Sequence, residues 1–129
     1  VTVDCDVLQA DGGTRTASVT GGFVALVLAC RRLMDQGLLR KLPIKSYLAG
    51  VSAGIVENQA VLDLCYAEDS RAAVDLNCVL NGNGNLVEVQ GTGEGRPFTL
   101  EEERKLLDLC AKGCRELMAL EKIVLRELV

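Results

Sequence analysis

Residues Asp11-Gly12-Gly13-Thr14-Arg15-Thr16 place two glycines, two hydroxyls and a guanidinium within six consecutive positions. Adjacent glycines let a backbone approach an anion closely. The start of a helix offers unpaired N–H groups carrying partial positive charge. Thr14 and Thr16 add hydroxyl donors, and Arg15 can grip a phosphate with its planar fork. The segment therefore suits an oxyanion or phosphate cradle. It also suits a tight turn with Thr16 as an ordinary helix N-cap. Its spacing is that of neither a Walker loop nor a GxGxxG fingerprint.

A second group is acidic: Asp63, Glu68, Asp69 and Asp75 fall in or beside one strand-to-strand connection. Oxygen ligands suit Mg²⁺ or Mn²⁺, and one or two carboxylates plus a substrate phosphate suffice for Mg²⁺. A carboxylate can also supply or relay a proton. The chain has no His, so the usual general base and commonest metal ligand are missing. The plain reading of the same residues is a solvated acidic loop. If the two groups converge, a phosphate would lie beside carboxylates and a metal would hold the charges together, as in phosphoryl transfer. Convergence requires Arg15, Asp69 and Asp75 to open onto one cleft, within roughly 10 Å of each other.

The elements that must position these residues follow from periodicity. Val1, Val3, Cys5 and Val7 alternate with polar residues, the pattern of a half-buried strand. A helix is predicted from about Thr16 to Gln36, with Gly37 as its C-cap. Its apolar residues go almost all round, which predicts enclosure by other elements. The run Phe23 to Cys30 is too short to cross a bilayer and is followed at once by Arg31 and Arg32, so no membrane role is expected. Lys45 to Val56 alternates with Tyr47, Ala49, Val51, Ala53 and Ile55 on one face, and Gln59 to Cys65 returns after the turn Glu57-Asn58. Tyr66 to Val74 reads as polar and irregular. Asp75 to Asn81 and Leu86 to Gln90 flank Asn81-Gly82-Asn83-Gly84, a strong hairpin signal, and Thr92 to Pro97 is a glycine-rich loop. Thr99-Leu-Glu-Glu102 is a capping box opening a last helix, with a stripe through Leu107, Cys110, Cys114, Leu117, Leu120, Val124 and Leu128. The order is β-α-β-β-β-β-α. It implies an α+β fold, a mixed or antiparallel sheet packed with two long helices.

Composition narrows the function classes. The 129 residues suffice for one compact domain. The net charge of −4 argues against broad, non-specific duplex binding but permits a local basic pocket. Only Phe23, Phe98, Tyr47 and Tyr66 are aromatic, too few for a base-stacking platform, so nucleic-acid contact must run through charge and backbone. The six cysteines allow a disulfide framework. Most lie in apolar patterns, where Cys acts as a small hydrophobe, and no secretory signal is visible, so reduced thiols in a cytoplasmic protein are expected.

Four stretches carry a family resemblance. They are Asp4-Cys-Asp-Val-Leu-Gln-Ala-Asp-Gly-Gly-Thr-Arg-Thr-Ala-Ser-Val-Thr-Gly21, Val61-Leu-Asp-Leu-Cys-Tyr-Ala-Glu-Asp-Ser70, Asp75-Leu-Asn77 and Glu88-Val-Gln-Gly-Thr-Gly-Glu-Gly95. In this order they resemble the bacterial ribonuclease PH family across nearly the whole chain, and the first stretch is highly specific. The resemblance implies half of the ribonuclease PH fold and a phosphate-dependent tRNA nucleotidyltransferase, a transferase acting as a 3′-to-5′ exoribonuclease in tRNA and rRNA processing. Inorganic phosphate, the co-substrate, attacks the terminal phosphodiester of RNA and releases a nucleoside diphosphate. By position, Gly13, Thr14 and Arg15 match the phosphate-binding loop. Asp69 and Asp75 match the acidic pair associated with Mg²⁺ (or Mn²⁺) and with catalysis, their individual roles left open. Arg15 would neutralise the attacking phosphate. The implied partners are the 3′ ends of tRNA precursors and copies of the same protein in a hexameric ring of dimers.

Two departures stand out. Cys65 occupies a position where the family usually has Asp. Residues 1–129 match the C-terminal half of a ribonuclease PH domain, and the N-terminal half, with a second phosphate-contacting arginine and many RNA contacts, is absent from this chain. A cleaved or truncated chain with a companion N-terminal fragment is expected. The competing readings are a non-catalytic ring subunit or RNA-binding module of an RNA-degrading complex, and a small-molecule phosphotransferase. Fold analogy alone supports the latter weakly.

Overall fold

A computed structural model of the chain describes residues 1–126. Four strands form one sheet: β1 (Leu48–Val56), β2 (Gln59–Leu62), β3 (Val74–Asn81) and β4 (Leu86–Thr92). Their order is β2-β1-β3-β4, and every neighbouring pair is antiparallel. Among the described residues there are also three helices: α1 (Thr14–Asp35), the single turn α2 (Tyr66–Asp69) and α3 (Leu100–Leu125). The α+β class and the run of elements from the first long helix onward agree with the sequence reading.

Turn chemistry sets the register. Glu57 and Asn58 both take positive φ, 50° and 63°, the twist that lets a two-residue loop join β1 to β2. In the second hairpin the Asn81 side-chain oxygen accepts from the N–H groups of Asn83 and Asn85, and Gly84 supplies the left-handed residue. One sheet face carries Ala49, Val51, Ala53 and Ile55 with Val74, Leu76, Cys78 and Leu80, packed against Leu106, Cys110, Cys114 and Met118 of α3. The opposite face of β1 receives α1: Thr20 Oγ1 accepts from the Gly50 N–H at 3.0 Å and donates to the Gly50 carbonyl at 3.2 Å. Covered on both sides, β1 is buried from Ala49 to Val56. All six cysteines are free thiols, and Cys30, Cys78, Cys110 and Cys114 are buried.

Four expectations are corrected. Val1 to Val7 is not a strand: the segment runs exposed, with Val3 and Cys5 beside Gly22 of α1. Alternation supplies two faces but no ladder partner, and a strand needs one. The helix α1 is not enclosed. Only Thr16, Phe23, Val27 and Cys30 are buried, and Leu28 is 50 % exposed, because α1 lies on one face of the sheet, chiefly over β1. By length and composition α1 is apolar enough to span a bilayer; its buried side chains instead pack on the sheet and on Leu125. The connection after β2 is not wholly irregular, since it contains α2. Finally, the buried side of α3 continues through Met118, Glu121 and Leu125, while Leu120 and Val124 are exposed. The 3.6-residue period, not local apolarity, decides which side faces in. Leu128 lies outside the described residues.

Candidate active site

The turn before α1 is built by Gly12 and Gly13. Gly13 caps the helix in the left-handed region, φ 70°, with no side-chain cap and no acidic residue in the first turn, so no side chain of that turn offsets its partial positive charge. Gly12 is required by close approach: a β-carbon there would lie 2.1 Å from the Leu64 carbonyl oxygen. The turn is thereby pressed onto the backbone leading into α2. Asp11 locks the contact, its Oδ1 accepting from the Gly12 N–H at 2.8 Å and from the Tyr66 N–H. Those backbone bonds, Tyr66 foremost, hold the Asp11 carboxyl below its ordinary range. Asp69, at the end of α2, is therefore tied to the glycine turn through the chain itself.

Sheet register brings in Asp75. In an antiparallel pair, residues opposite each other share a face, so Ser52, Asn77 and Gln90 form one row, and Gly54, Asp75 and Thr92 the next. This is the face on which α1 lies, and a β-carbon on Gly13 would be 3.0 Å from Ser52 Oγ. Ser52 and Asp75 are diagonal neighbours, roughly 7–8 Å apart. Asp75 is partly buried and accepts from Asn77 Nδ2 at 3.2 Å. Its carboxyl is pushed above the ordinary range, first by burial and then by the charge of Asp69, with a smaller contribution from Glu94. The Gly13 turn, Asp69 and Asp75 thus gather at one end of one sheet face.

Arg15 is placed differently. Its guanidinium pairs with Glu88 of β4 through Nη2, both side chains about half exposed. Glu88 is opposite Val79 and on the same sheet face, but four residues from Thr92, roughly 13 Å along the strand from the level of Asp75. The fork of Arg15 is thus turned from the carboxylates toward β4. The hydroxyls of Thr14 and Thr16, read from the sequence as anion donors, are committed to carbonyls, Thr14 to Asp11 at 2.6 Å and Thr16 to Gly13 at 2.9 Å. Of the other acidic candidates, Glu68 accepts from the Cys65 N–H at 3.1 Å and caps α2. Asp63, at φ 59°, donates its N–H to the Ser52 carbonyl at 2.7 Å and prolongs the β2 edge. It borders a cavity of about 450 Å³ beside Gly12, Gly13, Thr20 and Glu116, whose walls do not include Arg15, Asp69 or Asp75.

The sequence reading missed Asp11 as an anchor, although Asp before Gly-Gly is a turn signal. It also missed Ser52, Asn77 and Glu88 as neighbours of the site, since only strand register brings them there. Among the described residues no three His, Cys, Asp or Glu side chains gather as a metal cage. Asp69 and Asp75 still fit a hard cation. Their repulsion would be relieved by Mg²⁺ or Mn²⁺, which accepts two carboxylates when phosphate and water complete its shell.

The architecture, a four-stranded antiparallel sheet packed with helices, falls in a known class. Residues 46–113 match the family model described as the 3′ exoribonuclease family, domain 2, and the chain belongs to that family. More particularly, it is similar to ribonuclease PH. It is 52% identical to that of Syntrophomonas wolfei over 123 residues, 95% of this chain and 52% of the relative. It is 53% identical to that of Moorella thermoacetica over 126 residues, 98% of this chain and 50% of the relative. The chain thus spans about half the length of the curated relatives it matches. Among solved structures it resembles a chain of the Archaeoglobus fulgidus exosome with RNA bound to the active site, with TM-score 0.67, 26% identity, and coverage of 87% of this chain and 44% of that one. Rice Rrp46 shares the fold, with TM-score 0.65 at 15% identity, over 93% of this chain and 51% of that one.

Proposed function

We propose that residues 1–129 are the C-terminal half of a phosphorolytic 3′-to-5′ exoribonuclease, a cytoplasmic tRNA nucleotidyltransferase that trims the 3′ ends of tRNA precursors. The observation that supports this reading is that a helix N-terminus with no acidic residue in its first turn, reached through Gly12 and Gly13, lies on the sheet face that carries Asp75, whose charge neighbour is Asp69. An anion held at that helix start lies beside a carboxyl that burial makes a better proton holder. The similarity to ribonuclease PH supplies the reaction. A phosphate oxygen attacks the terminal phosphorus, the bond to the 3′ oxygen of the shortened RNA breaks, and a nucleoside diphosphate leaves.

In this reading the N–H groups around Gly13 and Thr14 bind and orient the attacking phosphate, and Arg15 exchanges Glu88 for it as its charge partner. Asp75 holds the proton passed to the departing 3′ oxygen, its raised pKa keeping that proton nearer neutral pH. Asp69 would hold Mg²⁺ or Mn²⁺, which supplies charge neutralisation at the transferred phosphoryl group, and Asp75 would join it as a ligand in the ionised form left once its proton has gone. The open flank of α1 faces the remaining half of the domain, and the complete protein assembles as a hexameric ring of dimers.

The test is incubation of the purified chain, and then of the chain with its N-terminal half, with a short RNA bearing a 3′ hydroxyl and Mg²⁺. Nucleoside diphosphates released only when inorganic phosphate is present are the expected result. Monophosphates released without phosphate would mean hydrolysis and overturn the reading. No release even from the paired halves would favour a non-catalytic ring subunit.

A further inference from the structure

Every hydroxyl on the first turns of α1 is already in use. Thr14 donates to Asp11, Thr16 to Gly13, and Ser18 to the Thr14 carbonyl at 2.9 Å. A hydroxyl whose one proton points at a carbonyl cannot also donate to an anion. Beneath the same turn lies Ser52, 2 % exposed, and its Oγ is buried without any hydrogen-bond partner. Buried hydroxyls are nearly always satisfied, so an orphan needs a reason. This one sits beside the helix start, 3.0 Å from where a β-carbon on Gly13 would be. Across the ladder is Asn77, whose side-chain nitrogen donates to Asp75 and makes no hydrogen bond with Ser52.

We propose that Ser52 is a further ligand of the anion site, its hydroxyl donating to an oxygen of the bound phosphate. The inference rests on the phosphate reading of the Gly12–Gly13 turn. The Ser52 oxygen lies under that turn, and because position 13 has no side chain, no β-carbon stands between it and the helix start. The hydroxyl is thus a donor held in reserve, unpaired until the anion arrives. An unpaired buried hydroxyl destabilises the fold, whereas a hydrogen bond to a charged oxygen strengthens binding. Stability and affinity must then respond to its removal with opposite signs.

The test compares the chain with Ser52→Ala, titrating inorganic phosphate while following the amide resonances of Gly13, Thr14 and Arg15, and measuring Tm of each protein. Expected are a phosphate Kd raised about tenfold or more in Ser52→Ala, the loss of one charge-assisted hydrogen bond, and a Tm equal to or above the parent's. Unchanged affinity in Ser52→Ala, with the parent's amides shifting normally, would overturn the role of Ser52 and leave the phosphate site standing. A fall in both affinity and Tm would make the hydroxyl structural and overturn it too. Absence of any phosphate-dependent shift in the parent would overturn the site reading and, with it, this ligand.

Discussion

Asp75 carries its proton to higher pH than an ordinary aspartate for two separable reasons, burial and the neighbouring charge of Asp69, in that order of size. The order makes a prediction. Asp69→Asn removes the charge and keeps the shape, so the Asp75 titration midpoint should move down yet stay above the ordinary aspartate range, because burial persists. Carboxyl ¹³C shifts followed against pH read this directly. An unmoved midpoint would mean the two side chains are not electrostatic neighbours, and the pairing that suits them to a shared cation would be lost. The same logic separates Arg15 from the carboxylates. Its guanidinium is satisfied by Glu88, and an exposed pair of this kind is worth at most about 1 kcal/mol, little enough for a dianionic phosphate to displace.

At the scale of elements, α3 is fixed at its start by a reciprocal cap. Thr99 Oγ1 accepts from the Glu102 N–H at 3.1 Å, and Glu102 Oε2 accepts from the Thr99 N–H at 2.9 Å. Arg96 grips the same carboxylate through both terminal nitrogens, at 2.6 and 3.1 Å, and with the cap holds its pKa at about 2. Thr99→Ala should therefore cost about 1 kcal/mol, a fall in Tm of roughly 3–5 °C for a chain of this size. A thermal melt that does not move would show that Arg96 and Glu102 fix the helix start unaided. This cap was legible in the sequence because its four residues are contiguous. So were both hairpins, whose turn residues dictate backbone sign, and the glycine turn. What could not be read was whatever depends on partners far along the chain. The alternation of Val1 to Val7 says nothing about whether a strand waits beside it. Thr14 and Thr16 look like free donors until their carbonyl partners are known. Ser52 becomes a neighbour of Gly13 only through the packing of α1 on β1, and Glu121 looks exposed only if Leu120 and Val124 are taken to mark the inner side of α3.

For the molecule as a whole, Glu121 sets a pH dependence. It is 3 % exposed, neither carboxylate oxygen has a hydrogen-bond partner, and burial raises its pKa from 4.5 to about 7. One turn on, Leu125 packs against Phe23 and Val27, so the carboxyl lies near the seam that joins α3 to α1. Below the unfolded value the group is protonated in both states and stability is unaffected. Between about 4.5 and about 7 the unfolded chain ionises while the folded chain keeps its proton, so stability falls as pH rises. Above that window the loss is complete and constant, roughly 3 kcal/mol at most. Against a total stability of about 5–15 kcal/mol for an ordinary domain, that is a large share. Glu121→Met fills the same space without a charge. It should gain stability over the parent by roughly 2–3 kcal/mol at pH 8, with most of the gain gone at pH 5. Urea unfolding across that range measures it. A gain of the same size at both pH values would mean the benefit comes from packing, and that Glu121 finds a proton or a partner in the folded state by another route.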